Sequence, residues 1–277
     1  MFFDKGHVIC YEKGEQDMSK RLGLALGSGG GRGACHLGVL TALVENDIPI
    51  SCITGSSMGA VIGGAFASGV DVEEMKRLLF RFSLLNLADV NLFFLNKTGM
   101  LRGDRSIRYM EQCIKTENAA DTKIPFACVA VDVEDGSVQT LKDGRLLDNI
   151  RASMSIPFVF EPMEINGRKL IDGGVLCRVP VQQCRELGAD VVFAVDALGP
   201  LRKEPAGKTV QTLLRMIDIM DCANSRRDLE ICAPDLLLSP EMGSISQYDL
   251  KSVKPAYQAG YEQTLPLIPQ LKSLLQD

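Results

Sequence analysis

Ser57 stands at the centre of Gly55-Ser56-Ser57-Met58-Gly59, a Gly-x-Ser-x-Gly spacing. A serine hydroxyl becomes a nucleophile when a sharp turn presents it at the start of a helix and a base takes its proton. Side chains two residues to either side would collide in such a turn, and glycine at 55 and 59 removes the collision. The positive end of the helix dipole then favours the oxyanion formed when the serine attacks an acyl carbonyl. The spacing alone is common, and a glycine-rich turn with an incidental serine produces it too.

A second cluster, Gly29-Gly30-Gly31-Arg32-Gly33, lies upstream. Consecutive glycines let backbone N–H groups turn toward one anionic point, and Arg32 adds a positive charge. A dinucleotide fingerprint also joins a strand, glycines and a helix, but it requires an acidic residue at the end of the second strand. Here that place holds the serine turn, and Asp47 lies before the strand. Nucleotide binding is therefore disfavoured.

The base is sought by elimination. The chain has two histidines, His7 and His36, both before Ser57. A Ser…Asp…His order is thus absent. His36 sits in the helix after the glycine cluster, where packing or capping explains it. Among aspartates, Asp172-Gly173-Gly174 fits best, because it follows the apolar pair Leu170-Ile171 and the glycines permit an unusual backbone. Asp132, Asp135, Asp143 and Asp196 remain rivals on similar grounds, and a turn aspartate is itself ordinary.

These residues need elements to carry them. Arg21–Leu26 and Ile50–Thr54 read as buried strands, each followed by a glycine loop and a helix, over Ala34–Asn46 and from the serine to about Ala67. Strand, loop, helix in succession is the order of a parallel sheet, so the fold class is α/β, and both loops open at one sheet edge. Asp71 caps a further helix to about Leu85. Helical spacing restarts near Asp104. Strands are expected at 124–133, 138–141, 162–165, 169–171, 191–195 and 236–238, with a tight hairpin at Asn166-Gly167. Helices are expected at 149–155, 180–187, 208–231 and 249–275. Residues 1–17 read as an N-terminal extension and 18–277 as one domain.

Of the 277 residues 46% are apolar and 23% charged, an ordinary globular mixture, and the net charge of -5 lacks a nucleic-acid footprint. Nine cysteines without close pairs point to reduced, buried thiols and a cytoplasmic setting, and no spacing suits a metal. No secretory leader and no run of about 18 apolar residues is seen. Peripheral contact with the inner membrane face stays compatible with this composition, and the oligomeric state is open.

The ordered segments LGLALGSGGGRGACHLGVL, ITGSSMGA, RASMSIPFVFEPMEINGRKLIDGGVLCRVPV and DLLLSP with AGY resemble the bacterial patatin-like phospholipases over about residues 20–265. The resemblance implies a three-layer α/β/α sandwich with a mainly parallel central sheet. It implies a Ser57–Asp172 dyad without histidine or cofactor, and an oxyanion hole from Gly29, Gly30, Gly31 and Arg32. The family loop often reads G-G-G-x-R-G; this chain has Ser28 in the first place and Gly31 in the variable one. The expected activity is acyl-ester hydrolysis on a lipid, with acyl transfer, thioester cleavage or silent lipid binding as alternatives. Residues 84–101, with Leu84, Leu85, Leu87, Leu92, Phe93, Phe94 and Leu95, suit either an acyl groove, membrane contact or ordinary core.

Overall fold

The computed structural model describes residues 19–85, 110–157, 160–201, 203, 208–243, 245–247 and 253–276. The extension 1–17, most of the apolar stretch 84–101 and the helical restart near Asp104 lie outside them.

Strand β1 (Leu22–Leu26) is followed by a 3-10 turn (Gly30–Ala34) and helix α1 (Cys35–Glu45), then β2 (Cys52–Ser56) and α2 (Met58–Ala67). Helix α3 (Val72–Leu85) begins at the expected cap, where Asp71 Oδ1 accepts the Glu74 N–H at 2.8 Å. After it come β3 (Phe126–Asp132), β4 (Val138–Leu141), α4 (Leu146–Ser153), β5 (Met163–Ile165) and β6 (Arg168–Asp172). The chain closes with α5 (Val181–Glu186), β7 (Val191–Val195), α6 (Thr209–Ile231), β8 (Leu236–Leu238), α7 (Val253–Thr264) and α8 (Ile268–Gln276).

The eight strands among the described residues form one sheet. Strands β3, β2, β1, β7 and β8 pair parallel in that order. Strands β4, β5 and β6 are antiparallel additions. Alternation along the strands builds two faces. Leu22, Leu24 and Leu26, with Ile53, Val191, Phe193 and Val195, pack beneath α1, α2, α3, α7 and α8. The smaller Ala25, Cys52, Val192 and Ala194 pack against Val181 and Cys184 of α5 and Leu229 of α6. Helices therefore cover both faces, giving the three-layer α/β/α sandwich with its parallel centre. Among the described residues no helix is long and apolar enough to cross a membrane, and no disulfide joins the described cysteines.

Several boundaries differ from the sequence reading, three of them with a structural consequence. Strand β2 runs two residues further, through Gly55 and Ser56, because Leu26 and Val129 remain available as rungs on either side. Helix α4 starts at Leu146, three residues early. The last helix is broken into α7 and α8 by a 3-10 turn at Leu265–Leu267, where Pro266 lacks the N–H that continuation needs.

Helices α1 and α7 touch through glycine. A Cβ on Gly38 would lie 2.1 Å from the Tyr257 carbonyl oxygen, and one on Gly260 would lie 2.1 Å from that of Cys35. Gly38→Ala should cost about 1–3 kcal/mol through overpacking, outweighing the gain of up to about 1 kcal/mol in helix propensity. Thermal melting followed by circular dichroism should show a Tm lower by several degrees; an unchanged Tm would mean the helices separate freely.

Candidate active site

Strand β3 is the frame of the site. Its residues Cys128 and Val129 pair with both β2 and β4, and Ala130 and Val131 pair with both β4 and β6. A strand has only two edges, so β4 occupies one and β2 and β6 share the other. Strand β2 leaves that edge at Ser56, opposite Val129, and β6 arrives with Asp172 opposite Ala130. The ends of β2 and β6 thus meet one rung apart.

That meeting joins Ser57 to Asp172. The Ser57 Oγ donates to Asp172 Oδ2 at 2.6 Å. Both residues are buried, each 6% exposed. Asp172 Oδ1 accepts the Gly174 N–H at 2.8 Å, and the Asp172 N–H donates to the Ser155 carbonyl at 3.0 Å. Burial pushes the Asp172 carboxyl up to about 6, while the bonds from Ser57 and Gly174 hold it down.

Ser57 has φ 52° and ψ -117°, a strained conformation for a residue with a side chain. The flanking glycines permit it by close approach. A Cβ at Gly55 would stand 2.5 Å from the Ala60 nitrogen, and one at Gly59 would stand 2.0 Å from the Leu26 oxygen. Gly173 is fixed the same way, since its Cβ would sit 2.2 Å from the Val129 oxygen. At the start of α2, Ala60 and Val61 donate to the Ser57 carbonyl. The first N–H groups of that helix have no partner within it.

The glycine loop lies between these parts. A Cβ on Gly33 would meet Met58 at 2.4 Å, and one on Gly174 would meet Ser28 Oγ at 2.9 Å. The Gly31 N–H donates to the Gln247 carbonyl at 2.8 Å and the Arg32 N–H to the Gly29 carbonyl at 3.0 Å. Among the described residues no hydrogen bond engages the amides of Gly29 and Gly30. Arg32 is buried at the loop's end.

The rivals are placed elsewhere. Asp132 is held by Arg168 at 2.7 Å, and Asp135 is an exposed turn residue bonded to Ser137. Asp143 is exposed. Asp196 forms a buried two-point ion pair with Arg178, whose Nε lies 2.9 Å from Oδ1. The Arg178 carbonyl accepts the Ser28 N–H at 2.9 Å, and its side chain also reaches Asp221 at 3.3 Å. Burial pushes the Asp221 carboxyl up to about 7 against the pull of Arg178. His36 is fully buried; its Nε2 donates to the Gly27 carbonyl at 2.7 Å, and burial lowers its pKa to about 4. His7 lies outside the described residues. The sequence reading missed Ser153, Ser155, Arg178 and Gln247 as partners of the site. Ser153 and Ser155 lie in the RASMSIP segment it quoted.

Residues 24–185 match the family model described as patatin-like phospholipase, a span that includes the glycine loop, Ser57 and Asp172. An uncharacterised NTE family protein of Mycobacterium tuberculosis is 36% identical over 205 residues, 72% of this chain and 56% of that protein. Lysophospholipase NTE1 of Saccharomyces cerevisiae is 32% identical over 179 residues, 63% of this chain and 11% of that protein. The matched region is thus little more than half of the mycobacterial relative and a small part of the yeast one. VipD from Legionella pneumophila superposes with a TM-score of 0.53 at 13% identity, over 91% of this chain and 67% of that one, which shows a shared fold.

The raised Asp172 carboxyl carries a stability signature. Its folded pKa exceeds the unfolded one, so its contribution is full below about pH 4 and is lost as pH rises through about 6. Above that, the buried carboxylate costs roughly 3 kcal/mol. Asp172→Asn should therefore melt higher than the parent at pH 8, with the difference shrinking toward pH 4. Melts across this range check it; a pH-independent difference would mean the carboxyl titrates as in water.

Proposed function

We propose that this chain, which belongs to the patatin-like phospholipase family, is a serine lipid acyl hydrolase acting through a Ser57–Asp172 dyad. The observation that carries the proposal is the 2.6 Å bond from Ser57 Oγ to Asp172 Oδ2, made by a strained serine at a helix start. The names of the relatives, lysophospholipase among them, support a lipid ester as the substrate.

In the proposed reaction Ser57 Oγ attacks the acyl carbonyl and passes its proton to Asp172. The carbonyl oxygen becomes an oxyanion. The amides of Gly29 and Gly30 and the first N–H groups of α2 are the donors for it, whereas those of Gly31 and Arg32 already serve carbonyls. The protonated Asp172 returns its proton to the leaving alcohol, and the acyl-serine ester remains. Asp172 then takes a proton from water as the water attacks that ester, and hands it to Ser57 Oγ as the Oγ–acyl bond breaks and the fatty acid leaves. A base pKa of about 6 suits both halves, since the group must gain and lose a proton near neutral pH. The negative charge is borne by fixed dipoles in a buried site, where they act strongly.

Turnover of p-nitrophenyl and lysophospholipid esters should fall about 1,000-fold or more in Ser57→Ala and in Asp172→Asn. Near-parental activity in either would end the dyad assignment. In the parent, kcat/KM should rise with pH through about 6, because only the ionised carboxylate accepts the proton. A profile flat from pH 5 to 8 would show another base at work.

A further inference from the structure

The dyad is not held by its own bond alone. At the end of α4 the chain turns through Ser153, Met154 and Ser155, and this turn binds the backbone of both members. The Ser153 Oγ accepts the Ser57 N–H at 3.0 Å. The Ser155 carbonyl accepts the Asp172 N–H at 3.0 Å. Ser153 and Ser155 are both fully buried. The turn is secured in its place. The Ser155 Oγ donates to the Arg151 carbonyl at 2.8 Å and accepts from Arg151 Nη1 at 2.5 Å. Arg151 Nη2 donates to the Glu161 carbonyl at 3.2 Å, and its guanidinium lies 4.9 Å from the Phe160 ring centroid.

We infer that Ser153 is a positioning residue, whose hydroxyl holds the strained backbone of Ser57 so that Oγ points at Asp172. A non-glycine residue in so sparsely populated a region costs about 1–3 kcal/mol and persists only where its surroundings over-determine it. The glycines at 55 and 59 make room for this conformation, but space does not enforce it. Enforcement requires a group that binds the peptide unit between Ser56 and Ser57, and the Ser153 hydroxyl is that group. Without it the Ser57 N–H is left buried and unbonded, which favours rotation of that peptide. Rotation carries Oγ away from Asp172. Ser153 touches neither substrate nor the reacting atoms, so its effect passes through Ser57.

The inference rests on the proposed dyad, and the test separates the two. The second-order rate of labelling by a fluorophosphonate probe is measured for the parent and for variants at 153, with kcat and KM on a p-nitrophenyl ester and a melting curve for each. Ser153→Ala removes the acceptor; Ser153→Thr retains it. Expected are a parent that labels at Ser57, a Ser153→Ala variant slower by about 10- to 100-fold in both labelling and kcat with KM nearly unchanged, and recovery of most of the rate in Ser153→Thr. Failure of the parent to label Ser57 would sink the dyad reading. A folded Ser153→Ala that labels within twofold of a labelling parent would overturn the positioning role alone. Should Ser153→Ala not fold, Ser153→Cys keeps the volume with a weaker acceptor. A kcat well below that of Ser153→Thr supports the role, and a parental kcat overturns it.

Discussion

The sharing of one edge of β3 between β2 and β6 is the constraint from which the site follows. Strand β2 runs parallel to β3 and stops at Ser56; β6 runs antiparallel and stops at Asp172. Two strands of opposite sense, placed end to end on the same edge, bring their C-terminal residues together. Ser57 and Asp172 are then neighbours although 115 residues separate them in the chain. The hairpin β5–β6 is what lets β6 run backwards, and its turn is set by Asn166 and Gly167, at φ 53° and 74°. The fold thus uses an antiparallel insertion in a parallel sheet to deliver its carboxylate.

The electrostatic surroundings divide the aspartates by task. Asp132 and Asp196 each face an arginine, which occupies the carboxylate oxygens. Asp172 has hydrogen bonds from one hydroxyl and one amide, and burial dominates its titration. It therefore binds a proton more readily than an ordinary carboxylate, as the proposed role of a base requires. His36 shows the converse effect. Burial lowers its pKa, its Nε2 proton is committed to the Gly27 carbonyl, and it serves as a support beneath the glycine loop.

The local parts of this arrangement are readable from the chain, and the long-range parts are not. Gly55, Ser57 and Gly59 announce an elbow because their spacing survives in sequence, although the backbone that a Cβ on Gly59 would strike belongs to β1. The short, continuous apolar runs of β1, β3 and β7 announce buried strands, since that signal too is local. Asp172 stood among five comparable aspartates, since its advantage lies in which edge of β3 receives β6, and no residue of β6 encodes that alone. The resemblance of longer segments to a known family singled it out. Asp196 looked equally available because Arg178, its partner, reveals nothing by its spacing. Ser153 was hidden in a stretch read as a short helix ended by Pro157; its role depends on Ser57, 96 residues earlier. Gln247 was equally hidden, as its carbonyl rather than its side chain occupies the Gly31 amide.

Strain at Ser57 explains why so many small contacts converge there. Three non-glycine residues have positive φ among those described. Asp47 and Asn166 lie in exposed turns, where short polar side chains tolerate the left-handed region at little cost. Ser57 is buried, and its ψ of -117° lies far from that region. A relaxed serine at the start of α2 would move its hydroxyl off Asp172, so the free energy holding the conformation must come from elsewhere. It is drawn from both sides of the sheet edge: α2 closes on the backbone of β1 at Gly59, and the Ser153 hydroxyl binds the Ser57 amide. Of the two contacts, the hydrogen bond alone does not exceed the strain, since one buried hydrogen bond contributes about 1 kcal/mol net against a strain of about 1–3 kcal/mol. Held together by a packed core they act as one unit, and the cost of the strained serine is spread over the cooperative stability of the whole sheet.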